Sequence, residues 1–216
     1  MIVCICSGGP SNELGSLERF LNRDDVYFIG ADQGAATLLQ KGIMPDAMVG
    51  DFDSIDTLVL KLLEKKVAYI EYADVEKDET DTDLALNHAI SLKPTEIILI
   101  GVTGGRLDHE EAAKRSLLRI QLAHPEITCA IENTANRLQF LVEPNRLYPL
   151  HATYAYVSFF AYFEHIQAVT LKGVKYETVD VPMPLMSSMF TSNEIVKEEA
   201  SIVFSNGICL MIQSRD

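Results

Sequence analysis

The chain has 216 residues, 31 of them acidic and 18 basic, for a formal net charge of −13. That balance argues against nucleic-acid binding, which normally shows a basic face. With 48% of residues hydrophobic and no low-complexity stretch, the length suits one large domain or two small ones with a substantial core. No apolar run approaches the roughly 18–20 residues that span a bilayer. The N-terminus lacks a basic segment followed by an apolar core and cleavage site. The four cysteines (Cys4, Cys6, Cys129, Cys209) contain no CxxC pair, so buried free thiols in a reducing compartment are the simplest account. The expectation is a soluble cytoplasmic protein with no nucleic-acid and no membrane partner.

In chain order, short apolar runs at residues 2–6, 26–31, 47–49, 67–72, 96–101 and 128–131 read as strands. They are mostly uninterrupted, as in parallel sheets covered on both faces. Helical patterns lie between them at 14–21, 33–41, 56–65, 82–92 and 109–122, with Gly42 as a C-terminal cap. This alternation predicts an α/β fold with a doubly wound, mostly parallel sheet. After about Glu143 helical periodicity fades. Strand-like runs at 154–160, 167–171, 201–204 and 209–213 take over, separated by turns such as Lys172-Gly173 and Ser205-Asn206-Gly207. The latter reads as a tight hairpin. A smaller antiparallel β-sandwich or barrel is expected over residues 144–216, after an α/β domain over residues 1–143, with Pro144-Asn145 as the linker.

The unusual segments all follow predicted strands. Ser7-Gly8-Gly9-Pro10 follows the first and Asp32-Gln33-Gly34 the second. Gly50-Asp51-Phe52-Asp53-Ser54 follows the third and residues 74–83 the fourth. Gly104-Gly105-Arg106-Leu107-Asp108-His109 follows the fifth. A parallel sheet would bring all five loops to its carboxyl edge, where open α/β sheets bind ligands. Crowded carboxylates resist ionising unless a cation sits among them, and hard oxygen ligands suit Mg²⁺ that also carries phosphates. Asp51 and Asp53 fit this if the segment is extended, with alternate residues on one side. A turn leading to a helix capped by Ser54 is the plainer alternative. Thr80 and Asp83 have the spacing of a capping box, which leaves Asp78 and Asp81 unexplained. Arg106 suits a phosphate, and Asp108 suits a helix N-terminus on dipole grounds alone. There is no P-loop and no dinucleotide fingerprint.

Several ordered blocks together resemble the thiamine pyrophosphokinase (thiamin diphosphokinase) family over nearly the whole chain. They are Ala31-Asp32-Gln33-Gly34-Ala35, Pro45-Asp46 through Ser54, Lys77-Asp78-Glu79-Thr80-Asp81, Gly104 through His109, Gly173-Val174-Lys175-Tyr176, and Thr191-Ser192-Asn193-Glu194. The resemblance implies a homodimer with active sites at the subunit interface, and transfer of diphosphate from ATP to the hydroxyl of thiamine. It implies Asp51, Asp53 and Asp81 as Mg²⁺ ligands, with Asp78 and Arg106 also catalytic. Asp32, Thr80, Arg106, Asp108 and His109 would line the ATP, and Ser192 and Asn193 the thiamine.

The chain departs from the family pattern at Gln33, where a glycine is usual, and at Glu110-Glu111-Ala112-Ala113. There an uncharged stretch ending in asparagine is usual, with Ala113 at the asparagine position. Two other readings stay open. One is a diphosphokinase acting on another alcohol, such as a hydroxymethylpterin. The other is a non-catalytic homologue that holds nucleotide or thiamine diphosphate.

Overall fold

The computed structural model describes residues 1–15, 17–21, 23–73, 79–151 and 153–216. They divide into two units, Met1–Thr134 and Ala135–Asp216. In the first, strands β1 (Ile2–Cys6), β2 (Val26–Ala31), β3 (Ala47–Gly50), β4 (Tyr69–Tyr72), β5 (Glu96–Ile100) and β6 (Thr128–Glu132) alternate with helices. These are α1 (Gln33–Gln40), α2 (Thr57–Lys66), α3 (Asp81–Ser91) and α4 (Leu107–Ala123). The strands lie in the order β6-β5-β1-β2-β3-β4, and every pairing is parallel.

Central strands are buried almost throughout, as expected where apolar layers cover both faces. Cys4, Cys6, Phe28, Ile98 and Ile100 pack with Leu14, Leu17, Phe20 and Leu38. Met48 and Phe52 pack with Ala35, Ala36 and Leu63. Edge strand β4 has no fully buried residue. All four cysteines are free and buried.

The helix expected over residues 14–21 does not form. The described residues there show one 3-10 turn, Glu18–Phe20. Gly15 adopts φ +70°, a left-handed conformation that interrupts an α-helical run. Leu14, Leu17 and Phe20 are nonetheless all buried in one core cluster. The other four helices form within two residues of expectation. Gly34 in the first turn of α1 permits a close approach: a Cβ there would lie 1.8 Å from the Cys6 carbonyl oxygen. Gly42 follows α1 as the expected cap, its N–H donating to the Leu39 carbonyl at 2.9 Å. Ser54 does not cap α2. That place is taken by Asp56, whose carboxylate accepts from the N–H groups of Leu58 and Val59.

The second unit contains β7 (Asn136–Leu141), β8 (Tyr148–Pro149), β9 (Tyr156–Tyr162), β10 (Ile166–Lys172), β11 (Thr178–Met183), β12 (Asn193–Glu194), β13 (Ser201–Phe204) and β14 (Ile208–Ser214). Antiparallel pairings give the orders β12-β9-β14-β7 and β11-β10-β13-β8. Phe159, Ala161, Cys209 and Met211 from the first set share one core with Ile166, Val169, Ile202 and Phe204 from the second. Burial alternates along β14 and β13, as it does in a sheet with one face packed.

Two expectations are corrected here. The division falls after Thr134 rather than Glu143, because residues 136–141 form β7 and pair with β14 along their whole length. Ser205-Asn206-Gly207 is not a hairpin. β13 pairs with β10 and β8, whereas β14 pairs with β7 and β9, so this turn carries the chain from one sheet to the other. Asn206 fixes the crossing: Oδ1 accepts the Gln167 N–H at 2.8 Å and Nδ2 donates to the His165 carbonyl at 3.1 Å.

Helix α3 meets the edge strand through His88, which stacks on Tyr69 at 4.0 Å between centroids and lies 6.1 Å from Tyr27. Its buried Nε2 finds no hydrogen-bond partner among the described residues. Burial holds the His88 imidazole below its usual range, opposed by the charge of Glu71. The unfolded chain takes up this proton below a pH of about 6.5, while the folded protein resists it. The group therefore destabilises the fold as pH falls below that value. His88→Phe keeps a ring on Tyr69 and removes the titration. Urea unfolding between pH 7 and 5 should show a shallower loss of stability in this variant than in the parent.

Candidate active site

With all strands parallel, the loops after β1, β2, β3 and β5 emerge at the carboxyl edge of the sheet. The loop after β4 lies mostly outside the described residues. Asp78 and Lys77 fall there, and the chain is described again from Glu79. The β1 and β5 loops are joined by the Gly9 N–H, which donates to the Gly101 carbonyl at 2.8 Å. The Ser7 hydroxyl meets that of Thr82 at 3.0 Å, tying the β1 loop to α3.

Carboxylate oxygens of Asp32, Asp51 and Asp53 lie within 4.8 Å of one another. The segment bearing Asp51 and Asp53 is not extended. Phe52 adopts φ +58°, which turns its ring into the core at 1% exposure, edge-on to Tyr72 at 5.3 Å. The two carboxylates flank this anchor, and the Asp53 N–H donates to Asp51 Oδ1 at 3.2 Å. Asp32 reaches the same place from the next strand. Its N–H donates to the Val49 carbonyl at 2.8 Å, with φ +47°. The Ser54 hydroxyl donates to the Asp32 carboxylate at 2.9 Å.

Burial raises the Asp32 carboxyl above its ordinary range. The Ser54 hydrogen bond opposes this, and the charges of Asp81 and Asp51 add to it. Asp81 opens α3, close enough to act on Asp32 electrostatically. The group described thus contains Asp32, expected at the nucleotide, together with Asp51 and Asp53. Such a set of hard, crowded oxygen donors suits Mg²⁺.

Arg106 precedes α4 and forks onto Asp108, with Nε to Oδ1 at 3.1 Å and Nη2 to Oδ2 at 2.6 Å. Asp108 also accepts the His109 N–H at 3.0 Å. The hydrogen bond from Arg106 is the main reason the Asp108 carboxyl is held below its ordinary range. Both side chains are exposed, so their pairing is weak. The fork remains able to turn to a phosphate, which it matches geometrically.

The unusual Glu110 and Glu111 are paired within α4, with Lys114 and Arg115, both at 2.8 Å. These contacts follow the i,i+4 spacing of a helix face. Ala113 is a core residue at 4% exposure. Gln33 packs on Gly8, where an added Cβ would lie 3.1 Å from the Gln33 Cβ.

In the second unit Asn193 is buried, and its amide is largely spent on backbone. Oδ1 accepts the N–H groups of Tyr176 and Glu194, both at 3.0 Å, and Nδ2 donates to the Tyr176 carbonyl at 2.9 Å. The Ser192 N–H donates to Ser158 Oγ at 2.9 Å, with φ +56° at Ser192. Asn193 therefore shapes the turn that displays the exposed Tyr176 and the Lys175–Glu194 ion pair at 2.5 Å. Sequence reasoning missed the roles of Ser54, Thr82 and Ser7. The hydroxyl beside Asp53 was a visible signal, but the partner of Ser54 lies 22 residues away.

Two family models match the chain. One is described as thiamin pyrophosphokinase, catalytic domain, and matches residues 18–131. The other is described as thiamin pyrophosphokinase, vitamin B1 binding domain, and matches residues 145–209. The chain is 33% identical over 216 residues to the thiamine pyrophosphokinase of Bacillus subtilis (strain 168), covering 98% of each. Among solved structures, thiamine pyrophosphokinase from Bacillus subtilis is similar with a TM-score of 0.89 at 32% identity, covering 100% of both chains. That of Geobacillus thermodenitrificans has a TM-score of 0.87 at 34% identity, covering 100% of this chain and 98% of its own. The yeast enzyme shares the fold, with a TM-score of 0.76 at 14% identity, covering 99% of this chain and 86% of its own.

Asn193→Ala leaves three backbone groups around Tyr176 and Glu194 without their partner. A destabilisation of about 2–3 kcal/mol is expected, because unmade buried hydrogen bonds cost more than made ones contribute. Urea unfolding measures it, and Asn193→Asp should restore only the acceptor half.

Proposed function

The chain belongs to the thiamin pyrophosphokinase family, and we infer that it transfers a diphosphoryl group from ATP to thiamine, giving thiamine diphosphate and AMP. The observation that carries this reading is the group formed by Asp32, Asp51 and Asp53 at the carboxyl edge of the parallel sheet, inside the region matched by the catalytic family model.

The thiamine hydroxyl oxygen forms a bond to the β-phosphorus of ATP. The bond from that phosphorus to the α,β-bridging oxygen breaks, the bridging oxygen leaves with AMP, and the hydroxyl proton is released. Such transfer depends on positioning and electrostatics more than on covalent chemistry by the protein. Asp51, Asp53 and Asp81 would hold Mg²⁺, with Asp32 beside them. When bound, Mg²⁺ offsets phosphate charge and orients the diphosphate.

Arg106 donates to phosphate oxygens as charge builds on them, turning from Asp108. Thr80, Asp108 and His109 line the nucleotide, and Asp78 serves the same site. Ser192, and Asn193 through the turn it holds, serve the thiamine. The thiazolium of thiamine is a fixed cation, and a strongly acidic protein suits it. We propose a homodimer with its active sites at the subunit interface. Among the described residues no helix is long and apolar enough to cross a membrane. The four free, buried thiols support a cytoplasmic location.

Of the rival readings, a pterin acceptor has no support from the family match over residues 145–209. A non-catalytic homologue drew on Glu110, Glu111 and Ala113 alone. The two acids are neutralised within α4, and Ala113 lies in the core.

Incubation with Mg²⁺, ATP and thiamine should yield AMP and thiamine diphosphate in equal amounts. AMP formed only with a pterin, or tight binding without turnover, would overturn the reading. Asp51→Asn should cut turnover on the order of 100-fold with unchanged circular dichroism, since it removes a repelling charge rather than a packing group. A second test addresses the dimer. An inactive Asp51 variant mixed with an inactive Asn193 variant gives mixed dimers with one intact site, because a two-fold interface is isologous. Activity should reappear on subunit exchange, and its absence despite exchange would place each site within one chain.

A further inference from the structure

The first turn of α3 is pinned on both sides of Asp81. Ahead of it, Thr80 Oγ1 accepts the Asp83 N–H at 3.1 Å, and Asp83 Oδ2 accepts from the Thr80 N–H at 3.2 Å and the Thr80 hydroxyl at 2.7 Å. Behind it, Thr82 meets Ser7 at 3.0 Å. A capping box needs no more than the Thr80–Asp83 pair, yet Asp83 has a partner on α4 as well. Its Oδ1 accepts from Arg119 Nη2 at 3.0 Å. The Asp83 side chain is 15% exposed. Burial opposes its ionisation, but these donors outweigh burial and hold the carboxyl below its ordinary range.

Residues two apart on an α-helix point about 200° away from each other. Where Asp83 faces α4, Asp81 therefore points to the other side of the same turn. We propose that Asp83, held by Arg119, is a positioning residue for diphosphate transfer, setting the first turn of α3 so that the Asp81 carboxylate stands beside Asp32, Asp51 and Asp53. This rests on the reading of those carboxylates as the Mg²⁺ site. Displacements of about 1 Å in such groups are enough to impair a reaction that depends on placement.

The test is calorimetric titration of Mg²⁺ into the full-length protein saturated with a non-hydrolysable ATP analogue, with melting temperature measured in parallel. Arg119→Gln should weaken Mg²⁺ about tenfold, the lower end for residues that orient metal ligands, with little change in melting temperature. Arg119→Lys, which keeps the charge, should recover most of it. Asp83→Asn should weaken Mg²⁺ at least as much and also lower the melting temperature through its lost cap. If Asp81→Asn weakens Mg²⁺ while Arg119→Gln binds it like the parent, the positioning role is overturned and the metal reading stands. If Asp51→Asn and Asp81→Asn both bind Mg²⁺ like the parent, the metal reading falls and this inference with it.

Discussion

Three carboxylates with oxygens within 4.8 Å of one another repel, so the fold must hold them against their own charge. Most of the first unit's local structure is intelligible as the means of doing so. Phe52 is the main anchor. Its side chain is buried between Asp51 and Asp53 at 1% exposure, and burial of that size stabilises by about 1.5–3 kcal/mol. It also accepts a left-handed backbone, which costs about 1–3 kcal/mol at a non-glycine residue. The two terms are similar, so the turn is held by the surrounding sheet as much as by its own ring. Asp32 meets the same problem with a second left-handed backbone, a hydrogen bond to Val49 and a hydroxyl from Ser54.

The supporting contacts come from distant parts of the chain. Ser7 reaches Thr82 across 75 residues, and Arg119 reaches Asp83 across 36. The first ties the loop after β1 to α3, and the second ties the first turn of α3 to α4. The Arg106–Asp108 fork is different. It is exposed and local, so it orients a guanidinium without committing it. Fixed acids with an adjustable base suit the proposed reading, in which phosphate arrives with the substrate.

The sheet was legible in the sequence because buried parallel strands are short continuous apolar runs, and β1 and β2 match their expected bounds. The acidic loops were legible because they follow those strands. What failed did so for physical reasons. Residues 14–21 carry the apolar spacing of a helix, but one left-handed glycine converts it to a 3-10 turn. β7 was hidden because Arg137 and Gln139 break its apolar pattern, although both are buried. β11 carries Asp180 and Pro182 and sits at a sheet edge, where proline is tolerated. The Ser205–Gly207 turn has hairpin chemistry, but its strands belong to different sheets. Local turn preference cannot report which partners a strand chooses.

Asn193 shows how a motif residue can be taken up by the backbone around it. Both acceptor positions of its Oδ1 are occupied, and Nδ2 has given one of its two hydrogens to Tyr176. At most one donor of the amide remains for any other partner. The amide's larger effect is on the backbone of the turn that carries Lys175 and Tyr176. The same logic runs through the first unit, where Ser54 acts through Asp32 and Asp83 through the helix turn of Asp81. In both units, then, polar side chains next to the motif carboxylates and amides do their work by fixing a neighbour. The acidic motifs that gather at the sheet edge are readable from the sequence, whereas the residues that place them become visible only when chain segments tens of residues apart are brought together.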